Sequence, residues 1–190
     1  MANETNAIVR LLIEGQQDVW SIRKISLTRK INYKSAYQAV MKLQKDGIVT
    51  LQKIGNTTSC SFNFHFNPRV LDVEYLRREE LFQNKNFKVI YNNLNQLAFP
   101  FIALLFGSYA KKTQTKHSDI DILVITERER EVHSVFSILP LNIHSTIIKP
   151  EDFMQMAKSK EFSVVSEALK KNIILIGIED YYRLLENAHS

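Results

Sequence analysis

The sequence predicts an α+β chain: a helical N-terminal part closed by a strand hairpin, then a mixed sheet with flanking helices. Three observations predict it. Residues 1–66 read as three helical patterns followed by two strand-like runs. Asn67-Pro68 then interrupts the pattern. Beyond Phe99-Pro100, short apolar runs alternate with helical ones, which implies strands interleaved with helices. The 190 residues, 45% of them hydrophobic, supply a core for one domain or two small ones. The expected division is residues 1–66, a connecting helix over 67–97, and a second domain over 98–190.

In the first part, Ile8, Leu11 and Leu12 recur at helical spacing across residues 6–14, and Gly15 ends the run. A second helix is expected over 21–29, with Ile22, Ile25 and Leu27 facing inward. Asn32 can cap a third over 33–45, whose apolar stripe is Ala36, Ala39, Val40 and Leu43. Asp46-Gly47 closes it. Strands are expected over 48–53 and 59–64, joined by a turn containing Gly55-Asn56. The stretch INYKSAYQAVMKLQKDGIVTLQKIGNTTSCSFNF resembles the recognition helix and wing of winged helix-turn-helix proteins. That resemblance covers about a third of the chain. It implies contact with double-stranded DNA through Tyr33, Lys34, Ser35, Tyr37, Gln38 and Lys42 on the third helix, and Lys53 and Asn56 on the wing. Lysine and serine suit phosphates, and glutamine can read adenine in a major groove. Arg23, Lys24, Arg29 and Lys30 surround the second helix, and the formal net charge of +5 is compatible with a phosphate-bearing partner. The same small domain can instead mediate protein contacts or dimerisation.

Residues 70–97 are largely helix-compatible, with Leu71, Tyr75, Leu81, Phe82, Val89, Ile90 and Leu94 as the expected buried set. They serve either as a dimer helix, giving a homodimer, or as a linker helix packed on the second domain. Strands follow at 102–106, 118–125, 141–148 and 172–177. Helices are expected over 150–157, over 163–170 and from residue 179.

The stretch LLFGSYAKKTQTKHSDIDILVI carries the chemistry. An apolar strand leads into Gly107-Ser108. Glycine removes the side chain where a backbone must approach a phosphate closely, and helix-start amides after it can face an anion. Ser108 can donate its hydroxyl to a phosphate oxygen. In Asp119-Ile120-Asp121, alternate strand residues share a face, so both carboxylates point one way while Ile120 and Ile122 enter the core. Paired carboxylates repel unless a cation lies between them, and Mg2+ takes carboxylate oxygens while keeping positions for substrate phosphates. Lys111 and Ser118 are further candidates for binding the nucleotide; Lys111, Lys112 and Lys116 can contact phosphates, and the plain reading of such a Lys-rich loop, for all three, is a solvated surface. His117 reads as loop.

This stretch resembles the nucleotidyltransferase superfamily that includes DNA polymerase beta and kanamycin nucleotidyltransferase, and within it the small members common in archaea and bacteria. Gly107, Ser108, Asp119 and Asp121 match its Gly-Ser and Asp-x-Asp elements, and ALKKNIILIG resembles its closing segment, so the likeness spans residues 101–178. It implies Mg2+ on Asp119 and Asp121 as the catalytic acids, a bound nucleoside triphosphate, and transfer of a nucleoside monophosphate to a hydroxyl. It also implies a third carboxylate on a neighbouring strand. On the candidate strand, LNIHSTII, the positions sharing a face are Asn142, His144 and Thr146, none of them acidic. Glu151 and Asp152 lie beyond it. His144 reads either as a base or as a satisfied or half-buried strand histidine.

Two functions are therefore weighed: a Mg2+-dependent nucleotidyltransferase, and a DNA-binding transcriptional regulator or antitoxin-like protein built on an inactive or nucleotide-sensing version of the same fold. The missing acid favours the second; the intact Gly-Ser and acid pair favour retained nucleotide or metal binding. The single cysteine, Cys60, allows no internal disulfide and no zinc cluster. The polar start after Met1 is no signal peptide, and no apolar run reaches a membrane span. A cytoplasmic protein without membrane contact is expected.

Overall fold

A computed structural model describes residues 2–16, 18–55, 57–159 and 161–189. Contacts divide the chain into two compact units, Met1–Val73 and Glu74–Ser190.

In the first unit the elements run α1 (Ala2–Glu14), β1 (Trp20–Ser21), α2 (Ile22–Arg29), α3 (Tyr33–Lys45), β2 (Val49–Ile54) and β3 (Thr57–Phe62), with the start of α4 (Pro68–Leu81). The three strands form one antiparallel sheet in the order β1-β3-β2. Local chemistry sets the element ends. The Ser21 side chain accepts from the Lys24 amide to start α2, and Asn32 accepts from the Ser35 amide to start α3. At Gly15 a side chain would collide with the Trp20 ring, and the indole Nε1 donates to the Gly15 carbonyl at 2.8 Å. Ile8, Leu12, Trp20, Ile25, Val40, Leu43 and Cys60 are buried in the unit's core. Burial pushes the Cys60 thiol pKa up to about 11, because the thiolate would lose its hydration.

The second unit contains the remainder of α4, then α5 (Lys85–Leu94), β4 (Ile102–Leu105), α6 (Gly107–Lys111), β5 (Ile120–Ile125), α7 (Glu129–Ser137), β6 (Ile143–Ile148), α8 (Pro150–Lys158), α9 (Val164–Lys170), β7 (Ile173–Ile176) and α10 (Ile178–His189). Its four-stranded sheet has the order β6-β5-β4-β7 and is mixed: β5 pairs parallel with β6, while β4 pairs antiparallel with both β5 and β7. All four residues of β4 are buried, as a central strand covered on both faces requires. Phe87, Ile90 and Leu94 of α5 and Val132 and Phe136 of α7 join β4, β5 and β7 in one core. Each such fully buried side chain contributes about 1.5–3 kcal/mol.

A buried polar network ties α4 to the C-terminal elements of this unit. Arg77 donates to the Glu74 carboxylate and to the Asn172 carbonyl, and the Tyr182 hydroxyl donates to Glu74 at 2.6 Å. Asn172 bonds the Ala168 carbonyl and the Tyr181 hydroxyl. Burial, ahead of the nearby Glu74 charge, holds the Tyr182 pKa well above the ordinary tyrosine range.

Several expectations are corrected. The segment expected as one connecting helix is two, α4 and α5, broken where the Asn84 side chain accepts from the Asn86 amide. From Glu74 onward it belongs to the second unit. Leu27 is 69% exposed, because Ile22 and Ile25 already occupy the inward side of a short α2. Tyr75 and Val89 are exposed, whereas Phe87, absent from the expected set, is buried. Helix α7 was not expected: residues 127–131 are all charged, and only Val132 and Phe136 of the helix are buried. Among the described residues no helix is long and apolar enough to cross a membrane.

Candidate functional site

The second unit brings the Gly107 turn and the acid pair together. β4 pairs with β5 up to Leu105↔Ile122, and the Phe106 amide then donates to the Asp121 carbonyl at 3.0 Å. The next residue, Gly107, has φ +67, a backbone region that side-chain-bearing residues rarely adopt. A Cβ there would also collide with the Asp121 carboxylate. Glycine thus serves two needs, the turn and the close approach of Asp121 to the backbone. The approach foreseen for a phosphate is made, within the protein, by this carboxylate.

Asp121 is half-buried within β5; Asp119 is exposed and lies just ahead of the strand. Ile120 between them is buried, as alternation requires. On the neighbouring strand, Ile143 pairs with Ile120 and His144 with Asp121. His144 Nδ1 lies 3.3 Å from Asp121 Oδ1, and Asn142 Nδ2 donates to Asp119 Oδ1. The β6 face that could have carried a third carboxylate therefore presents an amide and an imidazole to the two acids. The His144 side chain is 69% exposed, so it is a strand histidine partnered by Asp121 rather than a half-buried one.

The remaining nucleotide-site candidates are placed as follows. Ser108 is half-buried in the first turn of α6. Lys111, on the same helix, donates from Nζ to Glu167 Oε2 at 3.1 Å, and Glu167 also accepts from Lys170. Those bonds, Lys170's first and then Lys111's, hold the Glu167 carboxyl below its ordinary pKa. The lysine is thus tied to α9 rather than extended over the Gly107 turn. Ser118 Oγ accepts from the Thr115 amide at 2.9 Å and closes the loop before the acids. Glu167 was missed; its i,i+3 spacing to Lys170 was visible, but its meeting with Lys111 is tertiary.

Among the described residues no group of three or more His, Cys, Asp and Glu is placed to hold a metal ion. Two carboxylates still fit a hard divalent cation whose other positions are filled by phosphate and water oxygens, which is the usual arrangement for Mg2+. Asp119 and Asp121 are the residues that would hold it.

A cavity of about 520 Å³ opens at the other end of β5, against Phe99, Phe101, Ile102, Ile125, Arg128 and Leu184. Its lining does not include the acids.

In the first unit, α3 exposes Tyr33, Lys34, Tyr37, Gln38, Met41 and Lys42, while Ser35 is half-buried and its amide bonds Asn32. Tyr33 and Tyr37 stack with ring centroids 6.4 Å apart. Beside them a cavity of about 380 Å³ is lined by Ser21, Arg23, Tyr33, Thr57 and Thr58. Lys53 is exposed on β2. Asn56 lies outside the described residues.

Comparison with known proteins bears on the second unit. No curated protein and no solved structure matches the chain. Residues 88–181, just under half of its length, match the family model described as polymerase beta, nucleotidyltransferase. The matched segment runs from within α5 into α10 and holds Gly107, both acids and His144. With the mixed sheet and its helices, this match supports placing the segment in the nucleotidyltransferase superfamily.

Proposed function

We propose that the Gly107 turn and the acid pair bind a nucleoside triphosphate with Mg2+, and that the domain transfers a nucleoside monophosphate to a hydroxyl acceptor. The observation that carries the reading is the packing of Asp121 against the Gly107 backbone, which makes turn and acids one surface. When bound, the cation neutralises phosphate charge and fixes the triphosphate's orientation. Asp119 and Asp121 position it, and Ser108 lies in the turn beside the phosphates. The acceptor oxygen bonds to the α-phosphorus, the bond to pyrophosphate breaks, and the hydroxyl proton leaves to the surrounding water. The test is calorimetric titration with ATP, GTP, CTP and UTP, with and without Mg2+. Metal-dependent binding is expected for the native chain and its loss in the Asp119→Asn, Asp121→Asn double variant. Equal binding by both proteins would remove the acids from the site.

A second reading draws on Asn142 and His144. With no acid on β6 beside the pair, the domain binds the nucleotide without rapid turnover and acts as a sensor. The first unit is then a winged helix that contacts DNA through α3 and the β2–β3 hairpin. Its order of three helices and a hairpin supports this, as does the exposure of Lys34, Gln38, Lys42 and Lys53. A single-turnover assay with radiolabelled NTP separates the readings: pyrophosphate release at the rate of an enzyme favours transfer, and retention of intact NTP favours sensing.

A further inference from the structure

We infer that two copies of this chain pair through the outer edge of β6, antiparallel about a two-fold axis, into one continuous sheet. The inference does not depend on the nucleotide reading.

The two edges of the four-stranded sheet differ. β7 forms one edge. There the Leu175 carbonyl accepts from Arg78 at 3.0 Å, and just before the strand the Asn172 carbonyl accepts from Arg77. Both arginines belong to α4, so a helix covers that edge. β6 forms the other edge, and among the described residues no strand lies beyond it. None of its six residues is buried, whereas all four of β4 are. An edge strand that stays unpaired commonly carries charges, a proline or a bulge that repel another strand. Residues 143–148, Ile-His-Ser-Thr-Ile-Ile, contain no Lys, Arg, Asp, Glu or Pro, and they pair with β5 without a register shift.

Register and charge select a second β6 as the occupant. The Ile120 amide donates to the Asn142 carbonyl, and the Thr126 amide to the Ile148 carbonyl. Even-numbered residues of β6 therefore turn their backbone groups to β5, and Ile143, Ser145 and Ile147 turn theirs outward. The Ile143 amide donates locally to the Leu141 carbonyl, which leaves the Ser145 and Ile147 amides facing out. An antiparallel copy centred on Ser145 satisfies both: the Ser145 amide donates to Ser145 of the partner subunit, and the Ile147 amide to Ile143 of the partner subunit. The strand thus matches itself, as an isologous interface requires. At each end Ile143 faces the partner subunit's Ile147; both positions are half-buried in the single chain, and such apolar cross-strand pairs are favourable. Lys149 is the first charged residue after the strand, and antiparallel pairing sets its two copies at opposite ends, so no like charges are opposed. His144 is then opposite Thr146 of the partner subunit, and directly opposed residues share a face. The two copies of Asp121 therefore lie on one face of the joined sheet, three strand spacings, about 14 Å, apart across the strands.

The test is sedimentation equilibrium of the full chain over a range of concentrations, with residue-resolved amide exchange followed by NMR. A mass twice that of one chain is expected. The Ser145 and Ile147 amides should exchange about tenfold or more slowly than unprotected amides. Ser145→Pro removes an outward amide and none that pairs with β5, so the strand keeps its place in its own sheet. That variant should remain monomeric at every concentration. A native chain that is monomeric throughout overturns the inference. So does a dimer whose Ser145 and Ile147 amides exchange at the unprotected rate, because it forms through another surface. A folded Ser145→Pro variant that still dimerises overturns it too. If the variant does not fold, the mass and the two amides of the native chain decide.

Discussion

At residue 107 two features disfavour a side chain. The positive φ strains any residue but glycine, and a Cβ would meet the Asp121 carboxylate, which would have to move. Gly107→Ala is expected to cost about 1–2 kcal/mol from the left-handed backbone alone, with a further cost as Asp121 is displaced. Thermal melting reads the stability loss, and calorimetry should show Mg2+-dependent NTP affinity falling at least tenfold in the protein that remains folded. A melting point and an affinity equal to the native values would contradict the packing. A second residue-scale expectation concerns Cys60. With its thiol pKa pushed up to about 11 from 9.0, the thiolate fraction at pH 8 is lowered roughly 100-fold, one pKa unit being tenfold. Labelling by a disulfide reagent should be slow in the native chain and fast after unfolding; rapid native labelling would show that the thiol is accessible. At this scale the sequence was informative about Gly107, Asp119 and Asp121, because a turn and an alternating strand fix such residues by spacing. Their contacts with Asn142 and His144 were not legible. Those depend on the register between strands 23 residues apart, which no local pattern specifies.

Elements differ in how plainly they announce themselves. Helix α3 was read with its cap and its end, since Asn32, a full apolar stripe and Gly47 mark it. Helix α7 carries only two buried residues behind a charged run, so its signal was too weak. Helix α2 was placed correctly but with Leu27 on the wrong side, because in eight residues one apolar position more or less decides the inward face. Asn32→Ala should lower stability by about 1 kcal/mol through loss of the α3 cap, read by chemical denaturation. Helix α9 holds α6 through Glu167, whose carboxyl pKa is lowered by hydrogen bonds from Lys170 and Lys111. A carboxyl lowered in the folded state stabilises above its unfolded pKa, and that contribution is lost as pH falls through the folded value. Glu167→Gln should therefore lower the melting point near neutral pH, and the difference from the native chain should vanish in acid. Exposed pairs of this kind contribute about 0.2–1 kcal/mol each, so the effect is small. A difference that persists or grows in acid would show that another interaction was lost.

For the whole molecule, the two units carry separate expectations. The α+β class and the existence of a boundary were legible in the helix-to-strand change along the chain. Its position was not, because α5 looks like a linker until Phe87, Ile90 and Leu94 are seen against the sheet. If the first unit contacts DNA through α3, Lys34→Glu with Lys42→Glu should weaken binding and reduce the slope of log affinity against log salt by about two. An unchanged slope would move the contact elsewhere. The central claim concerns the second unit: the Gly107 turn and the acid pair form one nucleotide site. Its most direct test is a crystal grown with Mn2+ and a non-hydrolysable NTP analogue, measured at a wavelength where manganese scatters anomalously. The account expects an anomalous peak within bonding distance of both Asp119 and Asp121, with phosphates against Gly107 and Ser108. Nucleotide bound elsewhere, such as in the cavity beside Phe101 and Leu184, with no peak at the acids, would contradict it.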